Sequence, residues 1–243
     1  MARSALHSPP WPALTLGMVT CLAGLVALTM TGLASRSVFT AAGGYAVGAA
    51  FVAAGWRLRR FGAANLVTLA RMVGTTWVAG LLVDAIAGDW LPRRQWTAVA
   101  VCLGCLLLDG VDGRVARARR AASEFGARFD NETDAALTLV VSLLVAVLGV
   151  VGWWVLAIGV MRYAYLAASA RWSWLRAPLP PSLLRKALGL TQAIALQIAL
   201  ASPLVPVVPR WLPAAVLTLA LAGLCWSFGR DVGGQWQRRG SRR

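Results

Sequence analysis

The 243-residue chain is poor in charge, and poorest in acids, histidine and lysine: 14% of its residues are charged, nine are Asp or Glu, one is His and one is Lys. So little charge beside 58% hydrophobic residues and a mean hydropathy of +0.66 excludes a water-soluble globule, in which about a quarter of the residues are charged. The one histidine, His7, precedes the first apolar run, which removes His-based acid/base or metal chemistry from the body of the chain. Four cysteines in 243 residues cannot build a disulfide framework. Gly shows no three-residue period and no long polar tract interrupts the apolar residues, which excludes a collagen-like or disordered chain. What remains is a protein that crosses a membrane several times.

Apolar stretches of about 17 to 25 residues span a hydrocarbon core of ~30 Å as helices. Eight are read, at 11–33, 39–56, 65–87, 95–115, 125–148, 152–170, 183–201 and 211–229. The first is too long for a signal-peptide core and is expected to stay as an anchor. With the N-terminus inside, 18 of the 24 cations fall on the cytoplasmic face and four (Arg36, Arg93, Arg94 and Arg210) on the other, while Arg71 and Arg162 lie within spans. Both termini are therefore expected in the cytoplasm. Trp11, Trp56, Trp90, Trp96, Trp153, Trp172, Trp211 and Trp226 fall near span ends, where amphipathic rings prefer the interface. A net charge of +15 in so apolar a chain points to anionic lipid headgroups and phosphorylated substrates rather than to nucleic acid. The near absence of lysine points to a GC-rich, bacterial genome.

Six of the nine acids (Asp109, Asp112, Glu124, Asp130, Glu132 and Asp134) lie within 26 residues. A carboxylate in a spanning helix costs roughly 2.5 to 3.5 kcal/mol on insertion scales, so a group of them at one depth demands compensation. Pairing with Arg114, Arg119 and Arg128 is the bland alternative. On a helix at 100° per residue, Asp109, Asp112, Gly113, Ala116 and Arg117 share one face about 140° wide. Gly126, Asp130 and Asp134 follow at i, i+4 and i+8, a second acidic stripe joined to the first by a short segment. Facing each other, the stripes bring four hard oxygen ligands together, a set suited to Mg²⁺ or Mn²⁺ before zinc. Gly113, Ala116 and Gly126 leave room for a ligand, and Arg117 suits a phosphate. Metals beside a phosphate-binding arginine imply phosphoryl-group chemistry at the cytoplasmic interface.

Asp109-x2-Asp112-Gly113-x2-Ala116-Arg117-x8-Gly126-x3-Asp130-x3-Asp134 resembles the signature of the CDP-alcohol phosphotransferase (CDP-alcohol phosphatidyltransferase) family of integral membrane enzymes. Two weaker features agree: Asn65, Thr68 and Arg71 at the opening of the third span, and Lys186, Thr191 and Gln192 at the opening of the seventh. The resemblance covers 65–229 and implies an all-α, multi-pass helix bundle with a six-helix core. Residues 1–60 then add two N-terminal spans, 61–230 form the catalytic core and 231–243 a basic cytoplasmic tail.

It further implies transfer of a phosphatidyl or similar substituted phosphoryl group from a CDP-linked donor, typically CDP-diacylglycerol, to an alcohol, with release of CMP. Two divalent ions, Mg²⁺ or Mn²⁺, would be held by Asp109, Asp112, Asp130 and Asp134, with Asp134 also taking the acceptor's proton. Gly113, Ala116, Arg117 and Gly126 would line the CDP site. A homodimer is expected from the resemblance alone. Asn131 and Ala135 stand where many members carry Pro and Arg or Lys, which leaves the acceptor open; the surrounding arginines lean toward a polyol phosphate such as glycerol 3-phosphate or inositol phosphate.

Other residues have two readings. Arg71, Arg162 and Lys186 are candidate phosphate ligands, against interface snorkelling for Arg162 and topology fixing for Lys186. Asn65 and Thr68 either hydrogen-bond the nucleotide or cap a helix at the membrane entry. Cys102 and Cys105 form a CxxC inside an apolar span, where packing outweighs metal or redox roles. Gly44-x3-Gly48 permits close helix packing and dimerisation. Glu132 lies off the catalytic stripe and takes no family role; a solvated or Arg-paired acid is the default. The rival functional classes are a cation transporter using intramembrane carboxylates and a non-catalytic membrane scaffold.

Overall fold

The computed structural model of the chain describes residues 10–29, 35–55, 61–119, 124–176 and 182–240; the side chains of 27–29, 111–119 and 239–240 lie outside the description. The described residues contain eight α-helices and no strand: α1 (Trp11–Thr29), α2 (Ser35–Gly55), α3 (Ala63–Ile86), α4 (Pro92–Arg119), α5 (Glu124–Val147), α6 (Leu156–Arg171), α7 (Leu183–Ala201) and α8 (Leu212–Gly240). Each expected span is one helix. Among the described residues, four segments are long and apolar enough by themselves to cross a bilayer: Ser35–Gly55, Ala63–Ile86, Leu183–Leu204 and Leu212–Arg238. α5 owes its lower apolarity to Glu124, Arg128, Asp130, Glu132 and Asp134 in its first half. α8 runs on to Gly240, through most of the segment read as a basic tail.

The chain forms two compact units, Met1–Val140 and Val141–Arg243. In the first, α3 is the central helix, packed against α1, α2 and α4 and buried along most of its length. Small residues set these approaches. Gly48 of α2 sits against Met72 and Gly44 against Thr76, so the Gly44-x3-Gly48 face docks α2 onto α3 of the same chain. Gly80 faces the backbone oxygen of Ser37, where an added Cβ would lie 2.7 Å away, and Gly74 faces Cys105. Cys105 thus packs between helices, its Sγ 3.8 Å from the Arg71 carbonyl, and Cys102 is buried beside it in the sequence; packing is the role that the geometry gives both.

The C-terminus of α3 closes on Gly88 at φ +75°, where the Asp89 amide donates to the Asp84 carbonyl at 3.0 Å and the Gly88 amide to Ala85. This left-handed cap returns the chain at once toward α4, which opens on Pro92. It also brings Asp89 back beside Asp84.

In the second unit, α7 packs against α8, with Leu188 filling the space beside Gly223. Arg185 of α7 pairs with Asp231 of α8 at 2.8 Å. Arg176 closes the end of α6, its Nε and Nη2 each 2.8 Å from the carbonyls of Ser169 and Ala170, which satisfies acceptors that the helix end leaves open.

Candidate metal centre

The first half of α5 has two faces. Phe125, Phe129 and Thr133 repeat at i, i+4 and i+8; Phe129 and Thr133 are buried, and Phe129 joins the core cluster of α1, α2 and α3 residues. Phe125 packs against that cluster, its ring stacked on Phe129 at a centroid distance of 6.0 Å and touching the space beside Gly55. That aromatic anchor fixes the rotation of the helix. The stripe one residue further on, Gly126, Asp130 and Asp134, is thereby turned through about 100°, and its two acids are half-buried.

Asp109, on α4, meets them. Oxygens of Asp109, Asp130 and Asp134 all lie within 4.8 Å of one another. Oxygens sharing one magnesium ion lie within about 4.2 Å, twice the ~2.1 Å metal–oxygen distance, so a contraction of a few tenths of an ångström makes this a ligand set. The donors are hard carboxylates from two helices, the chemistry that divalent Mg²⁺ or Mn²⁺ requires. The site therefore fits a divalent ion.

Arg71 of α3 reaches the same three acids. Its Nη1 is 3.0 Å from Asp109 Oδ1 and 2.6 Å from Asp130 Oδ1, and its Nη2 pairs with Asp134. The guanidinium is 3% exposed, whereas the three acids are 43%, 39% and 43% exposed. The arginines that the sequence offers as alternative partners of the acids are Arg114, Arg119 and Arg128; in the structure Arg71, 38 residues upstream of Asp109, offsets one of three negative charges. Carboxylates at this spacing repel by on the order of 3 kcal/mol per pair at an effective dielectric of ~20, less where water reaches them. Among the described residues the remaining excess is two negative charges, an attraction for cations.

Asn65 and Thr68 are buried on α3, N-terminal to Arg71. Neither caps the helix: Gly62 holds the N-cap position, and the Thr68 hydroxyl donates to the Ala64 carbonyl at 3.2 Å. Gly126 lies one turn before Asp130 on α5. Asp112, Gly113, Ala116 and Arg117 fall on α4, and their side chains lie outside the described residues. Arg162, on α6, is half-buried, and Lys186, in the first turn of α7, is exposed; both belong to the second unit. The arginines Arg36 and Arg94, expected only to mark the non-cytoplasmic face, form a second ion network with Asp84 and Asp89. An acid at the end of an apolar span, with arginines opening the helices on either side of it, was the signal that could have shown it.

The sequence model of the family described as CDP-alcohol phosphatidyltransferase matches residues 61–226, more than half of the chain. No curated protein and no solved structure matches it.

Proposed function

The chain belongs to the CDP-alcohol phosphatidyltransferase family, and from that premise we propose that it transfers a phosphatidyl group from CDP-diacylglycerol to a small alcohol and releases CMP. Family membership makes it an integral membrane transferase of phospholipid synthesis. The observation that carries the reading is the meeting of Asp109, Asp130 and Asp134 at one point from α4 and α5.

In this reading those three acids, with Asp112, hold two divalent ions, Mg²⁺ or Mn²⁺. When bound there, the ions supply neutralisation of the donor's pyrophosphate and of charge developing in transfer. The acceptor hydroxyl oxygen forms a bond to the phosphatidyl phosphorus while the bond from that phosphorus to the CMP oxygen breaks; CMP leaves with the electron pair. Asp134 takes the hydroxyl proton as general base. Gly113, Ala116 and Gly126 leave space for the cytidine nucleotide, and Arg117 binds its phosphate. Asn65 and Thr68 of α3 hydrogen-bond the nucleotide, and Arg162 and Lys186 bind phosphate of the donor or of an anionic acceptor such as glycerol 3-phosphate or inositol phosphate. The protein acts as a homodimer in the cytoplasmic membrane, with its site facing the cytoplasm.

The test is release of labelled CMP from CDP-diacylglycerol by the full chain in vesicles, with glycerol 3-phosphate, inositol 1-phosphate, inositol, serine and choline offered in turn. Product with at least one acceptor, lost in EDTA and restored by Mg²⁺ or Mn²⁺, is expected. Metal-independent turnover would sink the mechanism. Ion flux without CMP release would favour a transporter, and neither activity a scaffold.

A further inference from the structure

We infer that Arg71 is a built-in counter-cation that competes with the divalent ions for the same three carboxylates, so that guanidinium and metal weaken one another's hold on them. The inference rests on the metal-dependent reading above but concerns the chain before substrate arrives.

Three observations carry it. The guanidinium contacts Oδ1 of Asp109 and of Asp130 and also pairs with Asp134, the same three acids whose oxygens come close enough to hold an ion. Arg71 is 2% exposed, so it is no surface side chain that has drifted onto a neighbouring acid. Its Nε has no hydrogen-bond partner among the described residues, so only the two terminal nitrogens are committed, and both are committed to the acids. A guanidinium presents planar N–H donors to these carboxylates at hydrogen-bond distance, and a divalent ion held by the same carboxylates at ~2.1 Å repels the positive group beside it. Each cation therefore weakens the hold of the other on the three carboxylates.

The consequence is a site that stays assembled without metal. Three acids left alone would push their helices apart, whereas one guanidinium reaching across from α3 holds α4 and α5 in register. Metal affinity is reduced in exchange, because binding must also weaken the arginine's ion pairs. Arg71 is on this view a positioning residue.

The experiment measures Mn²⁺ binding by the full chain in detergent without substrate, together with thermal unfolding in EDTA and in saturating Mn²⁺, for the unsubstituted protein, Arg71→Gln and Arg71→Lys. Arg71→Gln is expected to unfold at lower temperature in EDTA, to regain most of the difference in Mn²⁺, and to bind Mn²⁺ about tenfold more tightly, a coupling of ordinary size. Arg71→Lys, which keeps the charge but loses the fork, should fall between the two. Unchanged or weaker Mn²⁺ binding in either variant overturns the inference. Should Arg71→Gln fail to fold, the side-chain Nε–H signal of Arg71 in the ¹⁵N-arginine-labelled unsubstituted chain, assigned from its loss in Arg71→Lys, decides it: Mg²⁺ must shift that signal, and a signal indifferent to Mg²⁺ refutes the competition. No CMP release with tighter Mn²⁺ binding in Arg71→Gln would defeat the transfer reading and leave this one standing; CMP release with unaltered binding would do the reverse.

Discussion

The two ends of α3 pose the same electrostatic problem and solve it in opposite ways. Arg71 and Asp84 lie 13 residues apart on that helix, about 20 Å along its axis at ~1.5 Å per residue. At one end a buried cation faces three half-buried acids. At the other a fully buried acid, Asp84, accepts from the Ser37 hydroxyl at 2.5 Å and faces Arg36 at 3.2 Å and Arg94 at 3.5 Å, while Asp89 pairs with each arginine at 3.0 Å. The second network has two charges of each sign and closes on itself. The first, among the described residues, is left with two negative charges to spare. A balanced network locks helices together; an unbalanced one attracts a further cation. Charge left over after the internal pairs are counted, rather than the mere presence of buried ions, separates a binding site from a staple.

Substituting at each end tests that distinction, and the largest effect belongs to the open end. Asp134→Asn should reduce CMP release by about 10²- to 10⁴-fold, the usual contribution of a general base. Its unfolding temperature in EDTA should stay level or rise, because one of three mutually repelling charges is gone. A variant that unfolds early instead would make the acids structural, and the two ends would then be alike. Asp84→Ala comes next and should reverse the pattern. Removing it takes a buried partner from Arg94, a change that costs about 3 to 5 kcal/mol for pairs of this kind. The expected result is a marked drop in unfolding temperature with Mn²⁺ affinity of the folded protein unchanged; lost metal affinity at normal stability would erase the contrast.

How much of this could be read in advance follows from the range over which each feature acts. All eight helices were legible, because an apolar run of membrane length has no stable alternative to a helix. Their ends were less so: α4 runs on to Arg119 and α8 to Gly240, since a helix continues beyond the bilayer wherever its own hydrogen bonds suffice. The stripe Gly126, Asp130 and Asp134 was legible for the same local reason, being set by helical pitch alone. The aromatic stripe beside it, Phe125 and Phe129, decides which way the acids point, because those rings pack into the core of α1, α2 and α3. Pairings over long sequence separations were not legible. Arg71 could be recognised as a cation within a span but not as the partner of acids 38 to 63 residues away. Gly44 and Gly48 announced a close helix contact without saying that the partner is α3 of the same chain.

The smallest predicted effect sharpens the comparison most, because it separates burial from charge count. Arg36 and Arg94 both pair with Asp84 and Asp89, but the Arg36 side chain is 45% exposed and that of Arg94 is 3% exposed. If balance alone mattered, losing either would leave the same one-charge deficit and the same penalty. Water and salt screen the exposed member, however, and pairs of that kind contribute ~1 kcal/mol or less. Arg36→Ala should therefore destabilise by about 1 kcal/mol or less, with a dependence on ionic strength, since Asp84 keeps Arg94 and the Ser37 hydroxyl. Arg94→Ala, measured beside it by thermal unfolding at low and high salt, should cost several times as much and respond little to salt. Equal costs would mean that the staple is held by its count of charges alone and that burial adds nothing to it.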